Sequence, residues 1–405
     1  LQDLGKLKEA ELILRKAIEI KPNGYNAHYN LGATLYDLGE LKQAEKSYIK
    51  AIEIKPDYAE AHLNLGNVFF NLGKLKEAEK STRKAVELNP DSADIHHNLG
   101  TILLKSNKFK EGWLEYEWRW KAIKNIKKIE TSKPEWNSNK RGRVLLQGEQ
   151  GIGDILLFSS LIPDFIPKVD QLIISIDKRL IPLFERSLNG NISFISQNDF
   201  IEEERYDFYI AMGSLPKYLR TSLKSFHTSK KLKLKVNAER SKILRDELIS
   251  TNFEKIVGIS WKTSSKVRTL SITLEKLILG IYSPKIRFVC LQYGAVQEEL
   301  DQLRKNYSID VYKSEEVDLF NDIDGLAALI YACDEVVSID NLTPILAGAL
   351  EKKSDVLLPI NSSWPHGEDH CKSYWYESMR LFRQNTDSDL DIVLKQIKEE
   401  IEIKD

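Results

Sequence analysis

The first third of the chain superposes on itself at a shift of 34 residues, aligning Pro22 with Pro56 and Pro90, Gly32 with Gly66 and Gly100, and Leu31 with Leu65 and Leu99. The block Asn30-Leu31-Gly32 recurs as Asn64-Leu65-Gly66 and Asn98-Leu99-Gly100, and Leu41-Lys42-Gln43-Ala44-Glu45 recurs as Leu75-Lys76-Glu77-Ala78-Glu79. A fixed period constrains the fold strongly, because each unit is one supersecondary element that buries its apolar face only by stacking on its neighbours. The small Gly and Ala positions let two antiparallel helices approach, and the proline ends the second helix before the next unit begins. His28, His62 and His96 share one position of the period, which makes them packing residues and not metal ligands. In the third copy Gly112 replaces the alanine, and the aromatic run Glu111–Trp120 is expected to dock the array on the C-terminal domain.

These units resemble tetratricopeptide repeats, expected over residues 1–122. The first residues read like the second half of a repeat and there is no initiator Met, so a truncated first repeat with others before it is expected. The arrangement is similar to that of the O-GlcNAc transferase family, where an asparagine ladder on the concave face grips an extended peptide. The resemblance gives that role to Asn30, Asn64 and Asn98, whose amides both donate and accept. As repeat consensus, the same three asparagines need no ligand.

At 405 residues the chain exceeds one ordinary core. Its 59 basic and 60 acidic side chains nearly cancel, so no global field marks nucleic acid as a partner. Cys290, Cys333 and Cys371 have no Cys-x-x-Cys spacing, which argues against a disulfide framework and for a reduced, cytoplasmic setting. The most apolar stretch, 155–167, is broken by Asp164 and two prolines and is shorter than the roughly 20 residues a spanning helix needs. Peripheral membrane contact is the most this permits.

Residues 123–142, rich in Lys, Asn and Ser, read as a connector. Beyond it short apolar runs alternate with helical stretches, as parallel βα units require: Val144–Gln147, Leu172–Ile176 and Tyr206–Ala211, then Ile256–Trp261, Arg287–Gln292, Ile309–Tyr312, Glu335–Ile339 and Val356–Ile360. The expected fold is therefore a helical solenoid followed by an α/β GT-B fold of two Rossmann-like lobes. The lobes fall at 143–237 and 255–384, with an interlobe helix and linker at 238–254 and a C-terminal helix at 385–405. Ligands in such folds bind beyond the carboxyl ends of the strands.

The turn Gly148-Glu149-Gln150-Gly151-Ile152-Gly153-Asp154 lies between a strand and a helix and lacks the Lys-Ser/Thr of a phosphate-binding loop. Gly153-Asp154-Ile155-Leu156 resembles the ADP-heptose:lipopolysaccharide heptosyltransferase family, whose aspartate lies near the acceptor hydroxyl. The resemblance makes Asp154 the general base; as a residue of the first helical turn, Asp154 is alternatively a cap. Gly151, Gly153, Gly213 and Ser214, the last two within Gly213-Ser214-Leu215-Pro216, then line the acceptor side of the cleft.

In the second lobe Trp261-Lys262-Thr263-Ser264-Ser265-Lys266-Val267-Arg268 comes after a strand as a polar, cationic loop of the kind that holds a diphosphate. Trp261, Lys262, Thr263, Ser264 and Arg268 are donor-site candidates, joined through the family likeness by Gln292. Cys290 reads as a packing residue. The most specific likeness, 325–350, contains Asp340, Asn341 and Thr343 at a helix start facing the donor. Relatives carry a His five residues after this Asp, where the present chain has Ile345. They also carry Trp-Arg-Trp-Gly where it reads Trp364-Pro365-His366-Gly367, so His366 is a substitute for the missing cation on the cleft. His366, Glu368, Asp369, His370 and Cys371 lack a recognised metal-ligand spacing, and no metal or other cofactor is expected.

The resemblance thus implies a metal-independent, inverting transferase that moves a sugar from a nucleotide-diphosphate donor to a protein or glycan hydroxyl, with the repeats presenting the acceptor or a protein partner. Ile345 and Pro365, standing where relatives have polar groups, suit the rival reading of an inactive scaffold for protein interactions.

Overall fold

The structure, a computed structural model, describes residues 2–149, 151–249, 253–263, 272–368, 370–384 and 389–402. The chain divides into two compact units, Leu1–Asn125 and Ile126–Asp405.

The first unit is a helical solenoid: α1 (Gln2–Ile20), α2 (Tyr25–Asp37), α3 (Leu41–Ile54), α4 (Ala59–Asn71), α5 (Leu75–Leu88), α6 (Ala93–Lys105), α7 (Phe109–Tyr116) and the single turn α8 (Arg119–Ala122). Its glycines sit where neighbouring helices touch. A Cβ on Gly32 would fall 2.9 Å from the Tyr48 ring, and one on Gly100 would fall 2.8 Å from the Tyr116 backbone nitrogen. The recurrent histidines bind the proline carbonyls that end the preceding repeats, His28 to Pro22 at 2.8 Å, His62 to Pro56 at 3.0 Å and His96 to Pro90 at 2.7 Å. They are structural, as their periodicity predicts. The aromatic run packs within this unit: Trp113 is buried against Phe109 and Tyr116, and Trp118 stacks on His96 at 4.2 Å.

The second unit is α/β with two wholly parallel sheets. The first contains β1 (Arg143–Gln147), β2 (Gln171–Ile176), β3 (Ile192–Ser196) and β4 (Phe208–Ala211) in the order β3-β2-β1-β4. The second contains β5 (Lys255–Ser260), β6 (Ile286–Cys290), β7 (Val311–Tyr312), β8 (Glu335–Ile339), β9 (Ser354–Leu358) and β10 (Met379–Arg383) in the order β10-β9-β8-β5-β6-β7. Counted from β5, that is the doubly wound order of dinucleotide-binding sheets, with its switch point between β5 and β8. The first sheet has the same winding and reverses between β1 and β4.

The edge strands β3 and β10 escape the sequence pattern, and the expected run Ile309–Tyr312 shortens to β7. Val257, Ile259, Phe288, Val337 and Leu357 build the second core, closed by Val393, Leu394 and Ile397 of the C-terminal helix Leu390–Glu402. The polar stretch before β1 is fastened to the first sheet: Glu135 bridges to Tyr209, the Trp136 amide donates to Tyr209 O at 2.8 Å, and the Trp136 indole is fully buried.

Candidate active site

Both switch points are closed by a side chain reaching across them. In the first sheet Glu149, just beyond β1, is buried, and its Oε1 accepts the Gly213 amide at 2.7 Å beyond β4. A Cβ on Gly213 would lie 2.5 Å from that oxygen, so only glycine admits the carboxylate. In the second sheet Asn341 Nδ2 donates to Ser260 Oγ at 2.7 Å and to Lys262 O at 3.2 Å, joining the ends of β8 and β5. Gln292 Oε1 accepts from Ser260 Oγ at 3.0 Å, Trp261 N at 3.0 Å and Lys262 N at 2.8 Å, which adds the end of β6. Asn341 Oδ1 accepts the Thr343 amide at 2.9 Å and so caps the helix Leu342–Ala349. Trp261, Gln292, Asn341 and Thr343 thus form one buried network. Its polar atoms hold three strand ends in register.

Lys262 projects its ammonium from this network to Glu299 Oε2 at 2.6 Å, and the Trp261 indole donates to the same oxygen at 3.3 Å. Thr263 is half-buried beside it. Ser264 and Arg268, like Gln150 and Asp369, lie outside the described residues. Cys290 is buried with its thiol pushed up to about 11 by that burial, which suits packing and not nucleophilic attack.

The two lobes meet where the helix Ile152–Ser159, after β1, packs on Leu342–Ala349, after β8. A Cβ on Gly153 would come 3.6 Å from Ile345 Cδ1, and Tyr376 donates its hydroxyl to Leu156 O at 2.8 Å. Phe158 and Phe226 of the first lobe pack against Trp375 of the second, with ring centroids 6.1 and 4.9 Å apart. Between these contacts lies a cavity of about 20 Å³, room for one water, lined by Asp154, Asp340, Ile345, Ser363 and His366 among others. Asp154 is half-buried, and its Oδ2 accepts the Gly151 amide at 3.2 Å, a cap on its own helix. The capping geometry and the position on the cavity coexist.

Asp340 and His366 are both more than nine-tenths buried, with His366 Nε2 3.0 Å from Asp340 Oδ1. Ser363 Oγ donates to Asp340 Oδ2 at 2.6 Å, and Arg383 holds the His366 carbonyl at 2.6 Å. A carboxylate accepting from Nε2 leaves Nδ1 as the proton-accepting nitrogen of a neutral imidazole. Nδ1 is buried and, among the described residues, has no hydrogen-bond partner. An imidazole so held, with Asp154 on the same cavity, is equipped to take up or deliver a proton. The sequence placed His366 on the cleft but did not pair it with Asp340, because the two come from different loops. Sequence reasoning misses the role of Glu149 within the glycine-rich turn; a carboxylate at a strand end is the signal that marks it. Among the described residues no three of His, Cys, Asp and Glu converge in a metal-binding geometry. Nor is any helix among them long and apolar enough to cross a membrane.

Tetratricopeptide-repeat family models match residues 1–39, 32–73, 59–92 and 82–113, so the first unit is an array of these repeats. Arrays of this kind present extended surfaces for binding other proteins. The protein FlbA of Caulobacter vibrioides is 28% identical over 295 residues, covering 67% of this chain and 49% of FlbA. That match is longer than the repeat unit and so includes part of the α/β unit, while the chain spans about half the length of this curated relative. Among solved structures, MamA is 24% identical with a TM-score of 0.29, covering 30% of this chain and 71% of MamA. YrrB, a repeat protein with an unusual peptide-binding site, is 22% identical with a TM-score of 0.28, covering 30% of this chain and 63% of YrrB.

Proposed function

We propose that the α/β unit is a GT-B glycosyltransferase of heptosyltransferase-like type, working without a metal in the cytoplasm, and that the repeats bring a protein or glycan acceptor to it. The observation that carries this reading is the convergence of Asp154, in the first turn of the helix after β1, and the Asp340–His366 pair, from loops beyond β8 and β9, on one cavity. In the proposed reaction Asp154 takes the proton of the acceptor hydroxyl. The acceptor oxygen then bonds to the anomeric carbon from the face opposite the leaving group, and the bond from that carbon to the phosphate oxygen breaks. The nucleoside diphosphate departs with the electron pair, its charge met by Lys262 and the amides that start the helix Leu342–Ala349.

The scaffold reading has its own support, since Lys262 is already paired with Glu299 and Ile345 occupies the space beside Gly153. Calorimetry of the intact chain with UDP, GDP and ADP, and then with sugars of whichever binds, separates the two. Selective binding lost in Lys262→Ala and kept in Asp154→Asn, with transfer lost in both, supports the transferase. Failure of all three nucleotides to bind makes the scaffold the better reading.

A further inference from the structure

A second cavity, of about 630 Å³, opens at the other end of the second sheet. Asp334, on its wall, immediately precedes β8 and accepts the Ile256 amide of β5 at 2.7 Å, so the cavity faces the amino ends of these strands. The Ser260–Asn341 network lies at their carboxyl ends, about 15 Å away for strands of this length. This cavity is therefore no part of the cleft.

Its wall carries six cations: Arg186 from the first lobe, Lys233 and Lys235 from that lobe's last stretch, Lys242 and Arg245 from the interlobe helix Ala238–Leu248, and Lys352 from the second lobe. Three are matched by carboxylates. Arg186 binds Asp324 through two bonds of 2.8 and 3.0 Å, Arg245 binds Asp334 at 2.7 Å, and Lys233 binds Glu351. Lys235, Lys242 and Lys352 make no ion pair with a carboxylate among the described residues, and the Lys352 ammonium donates to Cys333 O at 2.7 Å and lies 4.8 Å from the Tyr331 ring centroid. Burial holds Lys352 below the usual lysine range; Cys333 and the nearby Asp334 carboxylate oppose the shift, and Arg245 adds to it.

A chain with a formal net charge of −1 concentrates three unmatched cations in one concavity of small-molecule size, backed by apolar Leu234, Val236 and Ala332. We infer that this cavity is a binding site for a small phosphorylated anion, distinct from the proposed donor cleft. A concave wall of this size suits a diphosphate-sized ligand better than the extended surface of a membrane or a nucleic acid. Arg186 also donates to Lys235 O at 3.0 Å, so the ligand would sit on the strap that joins the two lobes.

Inorganic pyrophosphate is the probe, titrated into the intact chain by calorimetry at low and moderate salt. Wild type should bind with an affinity that falls as salt rises. The double variant Lys235→Glu, Lys242→Glu, changed at two exposed side chains that leave the core alone, should bind at least tenfold more weakly while its thermal unfolding stays that of wild type. Neither Lys235 nor Lys242 touches the proposed cleft, so a loss in the double variant places the binding in this cavity and not at Lys262. No saturable binding by wild type, or equal affinity in the double variant, overturns the inference and leaves the transferase reading untouched.

Discussion

His366 Nε2 and Asp340 Oδ1 stand 3.0 Å apart in a site where both side chains are more than nine-tenths buried. Removing one member of such a pair strands the other's polar groups away from water. His366→Ala should therefore destabilise the α/β unit by about 3 kcal/mol, the lower end of the range for broken buried pairs, because Ser363 still donates to Asp340. Urea unfolding followed by tryptophan fluorescence reads this out. A loss under about 0.5 kcal/mol, the level of an ordinary surface substitution, would mean that the pair contributes nothing to holding the loop.

The segment before β1 has the composition of a linker and the contacts of a structural element. Trp136 is fully buried, its ring edge-on to Phe165 at 4.9 Å and to Tyr218 at 5.3 Å, and its indole donates to Lys140 O at 2.8 Å. Trp136→Ala should cost about 3–5 kcal/mol, the cost of emptying a large aromatic site. In the intact chain the loss should fall on the transition of the α/β unit. An unchanged transition would show that this stretch is only a tether.

How far the sequence reveals this molecule depends on whether a feature is periodic or assembled. The repeats were legible because each position recurs, and β1, β2, β5, β6 and β8 because buried parallel strands are continuous apolar runs. β3 and β10 were not. Ile192–Ser196 is only half-buried along its length, and Met379–Arg383 places Arg380 and Arg383 in ion pairs and hydrogen bonds at the sheet edge. The site was legible as loops and not as contacts. The family likeness makes Gln292 and Asn341 donor-site candidates, and the structure adds that their amides tie Ser260, Trp261 and Lys262 together. That network joins residues about 80 positions apart, beyond any local pattern.

The helical unit should lose stability on acidification. His97 is depressed below its ordinary value, first by burial and then by the charge of Arg119, with Asp94 opposing both. The folded form thus resists a proton that the unfolded chain accepts near the ordinary histidine value of about 6.5. Below that pH the unfolded state binds more protons, so the contribution is full above 6.5 and is lost as pH falls toward the depressed folded value. Thermal unfolding of wild type and His97→Gln between pH 7.5 and 5 should give a steeper fall for wild type. Parallel curves would show that His97 takes its proton as readily folded as unfolded.

The glycines of the repeats predict a contrast that sequence identity hides. Gly66 and Gly100 occupy one position of the period, yet a Cβ on Gly66 would meet Thr82 Oγ1 at 2.3 Å, and one on Gly100 would meet the Tyr116 backbone nitrogen at 2.8 Å. Alanine at either place forces two packed helices apart, an overpacking typically costing about 1–3 kcal/mol. The obstacle at Gly66 is a side-chain hydroxyl that is buried and makes no hydrogen bond among the described residues, so it can be deleted without stranding a partner. Thr82→Ala should therefore recover most of the stability lost in Gly66→Ala, a coupling a double-mutant cycle measures directly. Gly100→Ala has no such rescue, because its obstacle is main chain. If Thr82→Ala fails to recover Gly66→Ala, the helices approach too closely for any side chain at that position, and backbone contact, not Thr82, sets the requirement for glycine in both repeats.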